Sequence, residues 1–513
     1  MSILVTPLST GNVTPFRQGP ARTLLSAFNE AGVSYCHWKS NQHLLDGLSG
    51  ATDLDILVDR DHRERAQRLL ADCGFKRFAP TIGMGYPAIE DYIGLDLSAG
   101  RLIHCHLHYR LVAGEAHLKG HRVPWEHAVL GTRIWNDEAS AFTTCPELEM
   151  LILLVRYATK LRLRDRLFEW TGRRYVRGGL GEEYAWLRAR LDVSRSIELC
   201  RELLGAEPCA SYAALLDGDV TFAKILRFRD ASSEELKHYR TYGSIGGRLI
   251  RWMREGAWIA AGVNRRWLRS AHPLRRTVPA GGIVIAFIGP DGSGKSTVTK
   301  AVASMLMTKL DVLMLYFGSG DGPSSLLRLP LRWMRLLIER PGSTPRLGAA
   351  ASSATGSSSI RARVRDVGRL VWAIALSREK RKTLQVAARA RNRGMVVITD
   401  RFPQTQFMGF NDGPLLARYA GHPSALMRRI ARWEAEPYHR AGRQAPDLVL
   451  KLHTRVETAL ARKPETGRAE VERRLDALRQ LGFPATTRVV DIDANLPLEN
   501  VVRQASQAVW MAL

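Results

Sequence analysis

The chain has 513 residues, 45% hydrophobic and 24% charged, with 75 Lys and Arg against 50 Asp and Glu, a formal net charge of +25. At roughly 150 residues per domain, this length predicts about three domains or two large ones. The composition excludes wholesale disorder, and it excludes a small module that needs staples to hold its core. The basic excess favours a polyanionic partner, whether nucleic acid, a phosphorylated substrate or an anionic membrane surface, without choosing among them. Six cysteines (Cys36, Cys73, Cys105, Cys145, Cys200 and Cys209) show no CxxC spacing, which argues against a disulfide framework. The start "MSILVTPLSTGNVTPFRQGP" lacks the basic and continuously apolar stretches of a secretory leader, and no later run reaches the apolar length of a membrane span. The expected location is the cytoplasm.

Residues 1–145 read as a mixed α/β domain. A helix at about 21–31 leads to the short strand "VSYCHW" and then to "DLDILV" at 53–58; "HRERAQRLLADCGF" follows as an amphipathic helix. "YIGLDL" and "RLIHCHLHYRL" resemble two strands joined through Ser98, Ala99 and Gly100. Residues 146–240 read as a helical extension that opens on Pro146, where a missing N–H costs nothing. Residues 241–280 form a basic connector with eight arginines and one glutamate, in which Trp252, Trp258 and Trp267 are interspersed.

Residues 281–513 read as a parallel α/β sheet with crossover helices, with strands near 283–288, 312–317, 395–399 and 447–452. The Gly-, Ser- and Ala-rich stretch 341–359 buries too little to offset its ordering entropy and is expected to be a loop. There are no repeats or heptads.

The strongest motif is "IVIAFIGPDGSGKSTVTKA". Gly289, Gly294, Lys295 and Ser296 satisfy G-x-x-x-x-G-K-S between a hydrophobic strand and an amphipathic helix. Backbone N–H groups from Gly289 through Gly292, Ser293 and Gly294 can curl around a β-phosphate at the helix N-terminus. Lys295 would reach the β and γ phosphates, Ser296 would hold Mg²⁺, and Thr297 would support it. In "GMVVITDRFPQ" a buried strand delivers Asp400 and Arg401 to its carboxyl end, a carboxylate for the Mg²⁺ shell or acceptor and a guanidinium for phosphate. The same pair could instead be a helix cap and a surface residue. In "PDLVLKLHTRVETALARKPETGRAEVERR", Arg462, Lys463 and Arg468 could close over ATP as a lid, or simply lie on a solvated helix.

In this order, the three elements resemble the thymidylate kinase family of P-loop kinases over about 281–513. The matches are "GPDGSGKST" with Asp291, the Asp400–Arg401 pair, and the "PDLxLxL" strand from Pro446 and Asp447. The resemblance implies ATP and Mg²⁺ as cofactors and phosphoryl transfer. The family's "REPGGT"-like stretch is replaced by "LYFGSGDGPSSLLRLP", and Gly318–Gly322 offers a different phosphate- or hydroxyl-binding loop. The acceptor expected is therefore a sugar, sugar phosphate or glycan end, not dTMP. In 361–393, eleven Lys or Arg face two acidic residues, and among Arg378, Lys380, Arg381 and Lys382 a few are expected at the acceptor cleft.

"HWKSNQHLLDGLSGATDLDILVDRD" carries a second constellation. Asp53 and Asp55 alternate along a strand and face one side, so the two carboxylates can hold Mg²⁺ for nucleotidyl transfer, with Lys39 and Ser40 upstream to contact a triphosphate. The spacing resembles the DNA-polymerase-β-like nucleotidyltransferase superfamily, and more specifically a bacterial branch with a Trp-Lys-Ser start and a later "HLH" strand. Lys39 replaces the usual glycine, and the later strand carries His104, His106 and His108 in place of a third carboxylate. Those histidines share a face and could bind metal, phosphate or substrate, with Asp91 and Asp96 as nearby acidic ligands. A degenerate transferase with a satisfied polar strand face is the alternative. Cys105 should point to the core.

The whole chain reads as a bifunctional transferase suited to surface-polysaccharide metabolism. It would be an ATP-dependent kinase for a small-molecule or glycan acceptor, with nucleotidyl transfer in the N-terminal domain. The alternatives are a nucleoside monophosphate kinase, or a regulatory ATPase binding nucleic acid or a membrane surface. The alternating Trp and Arg of 248–269 would serve peripheral attachment to the inner membrane face, or pack on a domain. Oligomeric state is left open.

Overall fold

The computed structural model describes residues 19–161, 180–267, 270–317, 360–407 and 413–513. The expected loops at 318–322 and 341–359 lie outside these residues. The chain divides into two compact units, Met1–Ala260 and Ala261–Leu513.

In the first unit, nine strands are described: β1 Tyr35–His37, β2 Asp53–Val58, β3 Lys76–Phe78, β4 Ile89–Asp96, β5 Arg101–His108, β6 Leu111–Ala113, β7 His121–Val123, β8 Ile134–Asn136 and β9 Ala141–Thr143. Seven form a sheet of order β3-β4-β5-β2-β1-β9-β8, and β6 pairs with β7. The alternation in "DLDILV" and "LIHCHLH" sets two different faces. Leu54, Ile56, Val58, Ile103, Cys105 and Leu107 face a core shared with helices Pro20–Glu30 and Arg63–Asp72. Cys105 is fully buried there, as its alternation with the histidines requires. The opposite face carries Asp53, Asp55 and the histidines. β2 and β5 are parallel, with Asp53 opposite His104 and Asp55 opposite His106. β4 runs antiparallel to β5 and sets Asp91 opposite His106.

The segment from Pro146 is helical, starting with Pro146–Lys160 and continuing through four described helices from Leu180 to Ala231 and a short one at Ser233–His238. Its leucines share one apolar cluster with Cys36 and Leu57 of the sheet and with Trp38, which follows β1.

The connector contains a 23-residue helix, Ser244–Arg266. Ile245, Leu249, Trp252, Ile259 and Val263 recur at helical spacing and are all exposed, Ile245 to 80% and Trp252 to 61%. Arg251 pairs with Glu115, Arg254 donates to the His117 carbonyl at 3.3 Å, and the Trp258 ring lies 6.0 Å from that of His117. Arg265 pairs with Asp311. Among the described residues no helix is long and apolar enough to cross a membrane.

The second unit holds a five-stranded, all-parallel sheet: β10 Ile283–Ile288, β11 Val312–Tyr316, β12 Val396–Asp400, β13 Leu448–His453 and β14 Arg488–Asp493, in the order β11-β12-β10-β13-β14. The four expected strands are present. β14 was not foreseen, because an edge strand reading "RVVDID" with mostly exposed side chains lacks the apolar run of a buried strand. With β10 central and β12 and β13 beside it, three carboxyl ends converge where open parallel sheets bind ligands. The unit is a mixed α/β fold with a P-loop-like parallel sheet.

Candidate functional sites

In the second unit, β10 ends at Ile288 and the chain turns through Gly289–Gly294 into helix Lys295–Met307. Two glycines are required by close approach. A Cβ on Gly289 would sit 2.8 Å from the Leu452 carbonyl oxygen; one on Gly292, whose φ is +82°, would sit 2.5 Å from that of Ala459. The result is a backbone cradle at a helix N-terminus, the geometry that receives phosphate.

Lys295 is buried and donates to the Pro290 carbonyl at 2.8 Å. Burial first, and Arg401 second, bring its ammonium down to about 8. Ser296 and Thr297 are exposed on the first turn. Ser296 Oγ donates to Asp400 Oδ2 at 2.9 Å, while Asp400 Oδ1 is buried without a hydrogen-bond partner. A hydroxyl and a carboxylate oxygen, one of them unsatisfied, suit a hard divalent cation such as Mg²⁺. Buried Ser293 Oγ is likewise without a hydrogen-bond partner.

Arg401 follows Asp400 with φ +69°, and its guanidinium lies 3.2 Å from Asp291 Oδ1. Burial alone would push the Asp291 carboxyl up; Arg401, Lys295 and Arg474 outweigh it and hold the carboxyl below its ordinary value. Arg474 pairs with Asp291 Oδ2, and sequence reasoning missed it. It lies on helix Arg468–Gln480, where charge density alone marks no residue out; only the tertiary approach to the P-loop does.

The three lid residues separate. Arg462 reaches the P-loop, donating to the Gly292 carbonyl at 3.4 Å and the Ala494 carbonyl at 3.2 Å. Lys463 follows it, in the break between helices Val456–Arg462 and Arg468–Gln480. Arg468 instead pairs on the surface with Glu457 at 3.0 Å and Glu472 at 2.9 Å. On helix Ile360–Asn392, buried Lys380 donates to Tyr438 OH at 3.2 Å, and Arg381 pairs with Glu436 at 3.0 Å. The Arg378 guanidinium lies 5.6 Å from the Trp433 ring, so these three basic groups turn towards helix Ala425–Arg443. Lys382 carries no such contact among the described residues.

In the first unit, parallel pairing of β2 with β5 brings Asp53, Asp55 and the histidines together. His104 Nδ1 lies 3.0 Å from Asp53 Oδ1, and its Nε2 is 2.8 Å from Asp91 Oδ1. His106 bridges Asp55 at 3.4 Å and Asp91 at 3.1 Å, and His108 Nε2 is 3.2 Å from Asp55. Lys39 Nζ lies 2.8 Å from Asp55 Oδ1, so its charge is spent on the strand carboxylate. Ser40 takes the left-handed conformation, φ 56°, just before the turn Asn41–His43. Asp91 joins the cluster, whereas Asp96 serves the β4–β5 turn, accepting from Ser98 N at 2.9 Å and Ala99 N at 3.0 Å. Asp91 on β4 was legible only as a neighbour, because its approach depends on antiparallel register.

The electrostatics follow from burial against pairing. Burial would raise the Asp55 carboxyl, but Lys39, His106 and His108 hold it well below its ordinary value. Burial brings Lys39 down against the pull of Asp55 and takes His108 down to about 3. His106 moves the other way: Asp55 and Asp91 outweigh its burial and raise it.

No family model matches the chain. It is 31% identical over 231 residues, 44% of this chain and 86% of the relative, to the uncharacterized ATP-binding protein YghR of Escherichia coli strain K12, and equally to its counterpart in Escherichia coli O6:H1. The uncharacterized ATP-binding protein YghS of Escherichia coli K12 is 25% identical over 243 residues, 45% of this chain and 93% of that protein. By the identity and coverage of the first of these matches, the chain belongs to the family of the protein YghR.

Proposed function

We propose that the second unit is an ATP- and Mg²⁺-dependent phosphotransferase acting on a small acceptor other than dTMP, of the sugar, sugar phosphate or glycan-end class. The observation that carries this reading is the Ser296–Asp400 contact of 2.9 Å beside the glycine cradle. It sets a P-loop hydroxyl and a strand-end carboxylate at one point beyond the sheet. The description of YghR and YghS as ATP-binding proteins supports the nucleotide.

Ser296 and Asp400 would hold Mg²⁺, which supplies charge neutralisation on the phosphate oxygens. The Gly289–Gly294 backbone orients the phosphates, and Lys295 exchanges its bond to Pro290 for a phosphate oxygen. Arg401 and Arg474, tethered through Asp291, hold positive charge at the mouth, and Arg462 reaches the Gly292 carbonyl of the loop. Such groups act by stabilising charge that develops during transfer.

Incubation with Mg·ATP and pools of nucleotides, sugars, sugar phosphates and glycan fragments, followed by mass-resolved product detection, tests the reading. Lys295→Ala should lower product formation by about 100- to 1,000-fold or more while leaving the fold intact. Full activity in that variant would refute the assignment.

The geometry of Asp53 and Asp55 favours a second reading for the first unit, nucleotidyl transfer. A nucleotidylated product lost in Asp53→Ala/Asp55→Ala but retained in Lys295→Ala would support it.

A further inference from the structure

The Asp–His cluster of the first unit has a feature that a merely satisfied polar strand face does not need. His104 is fully buried, and its two ring nitrogens are treated differently. Nε2 is held by Asp91 at 2.8 Å, while Nδ1 faces Asp53 across 3.0 Å without completing a hydrogen bond. An imidazole fixed through one nitrogen by a carboxylate, with the other presented towards a second carboxylate, is the arrangement that orients a metal-ligating histidine. Asp91 also holds His106, through Nε2 at 3.1 Å, so one carboxylate orients two rings whose centroids are 4.1 Å apart. One ligand atom from each of Asp53, His104 and His106 lies within 4.8 Å of the others, and the same holds for Asp55, His106 and His108.

Asp53, Asp55 and Asp91 set three carboxylates around the histidines against one ammonium, Lys39 at 2.8 Å from Asp55, a surplus of acidic groups that suits a cation. The donors are also mixed. Mg²⁺ takes oxygen ligands and keeps much of its water, whereas neutral imidazole beside carboxylate suits Zn²⁺ and its neighbours in the transition series.

We propose that Asp53, His104 and His106 bind a divalent transition-metal ion of the Zn²⁺ class, with Asp91 as the positioning residue behind both imidazoles. The site is distinct from the P-loop of the second unit, and its occupancy does not depend on whether the first unit transfers nucleotides.

The test is calorimetric titration of the full-length, chelator-treated protein with ZnCl₂, in parallel with MgCl₂, and with CoCl₂ followed by visible absorption. Wild type should bind one Zn²⁺ per chain that equimolar Mg²⁺ does not displace. The Co²⁺ form should show a nitrogen–oxygen ligand field without a thiolate band. Asp53→Asn, at a partly exposed side chain, and His106→Gln should each weaken Zn²⁺ by at least roughly 100-fold, and Asp91→Asn by about 10- to 100-fold. Thermal melting of the metal-free variants separates lost ligation from lost folding: wild type should gain melting temperature with Zn²⁺, and Asp53→Asn should fold but gain none. Absence of Zn²⁺ binding by wild type, unchanged affinity in Asp53→Asn, or a thiolate spectrum would overturn the proposal.

Discussion

On the proposed reading, a single buried cation, Lys295, would couple phosphate binding to pH. Its ammonium sits at about 8 against an ordinary 10.5, because burial penalises the charge and Arg401 adds repulsion. A phosphate bound as proposed would attract only the protonated form and restore it. Nucleotide affinity should therefore fall as pH rises through about 8, and binding at pH 8.5 should take up protons. For the unliganded fold the sign is opposite: between about 8 and 10.5 the unfolded chain binds the extra proton, so stability rises with pH in that window. Titrations in two buffers of different ionisation heat check the linkage, and Lys295→Arg should abolish the proton uptake. Heats that do not depend on the buffer would contradict it. At this scale Lys295, Ser296 and Asp400 were legible, since a P-loop is a local arrangement and Asp400 closes a hydrophobic strand. Arg474 was not, because nothing in "VERRLDALRQ" says which arginine turns towards Asp291.

Among the elements, helix Pro146–Lys160 carries an unusual load: Glu149 is fully buried in it and accepts from Asn41 N at 2.8 Å and Asn41 Nδ2 at 2.7 Å. Burial raises its carboxyl to about 7, and the two donors from Asn41 offset only part of that. A folded value above the unfolded one means stability fully present below about 4.5 and lost as pH rises to about 7. The loss is on the order of 3 kcal/mol, and Glu149→Gln should flatten it in urea melts between pH 4.5 and 7.5. A wild-type profile as flat as the variant's would refute the linkage. The helix itself was legible from Pro146 and the apolar run after it. The burial of Glu149 was not, since it follows from where the Asn41–His43 turn meets the helix. The basic run on Ile360–Asn392 shows the same gap: charge density marked the segment, but only packing turns Lys380 towards Tyr438.

For the whole molecule, composition and motif order made two α/β assemblies legible, along with the parallel strands β10–β13. The Asp–His cluster was legible only in part: alternation put Asp53, Asp55 and the three histidines on faces, but a face has no partner until strand order supplies one. The same reasoning separates the two carboxylates suggested on β4, since Asp91 lies opposite His106 and Asp96 five residues on reaches only the turn.

Exposed apolar side chains on the helix Ser244–Arg266 bear on how the protein behaves in concentrated solution. The helix is roughly 34 Å long, and Ile245, Leu249, Trp252, Ile259 and Val263 are exposed while Arg251, Arg254 and Arg265 have protein partners. The charge of +25 then becomes the main barrier keeping such stripes apart in solution. Salt shortens the reach of that repulsion to about 3 Å near 1 M and leaves apolar attraction in place. Sedimentation velocity should thus show a purified chain that associates as NaCl is raised, the reverse of an assembly held by ion pairs. Trp252→Glu with Ile259→Glu should keep it dispersed at every salt concentration; association unchanged in that double variant would place the adhesive surface elsewhere.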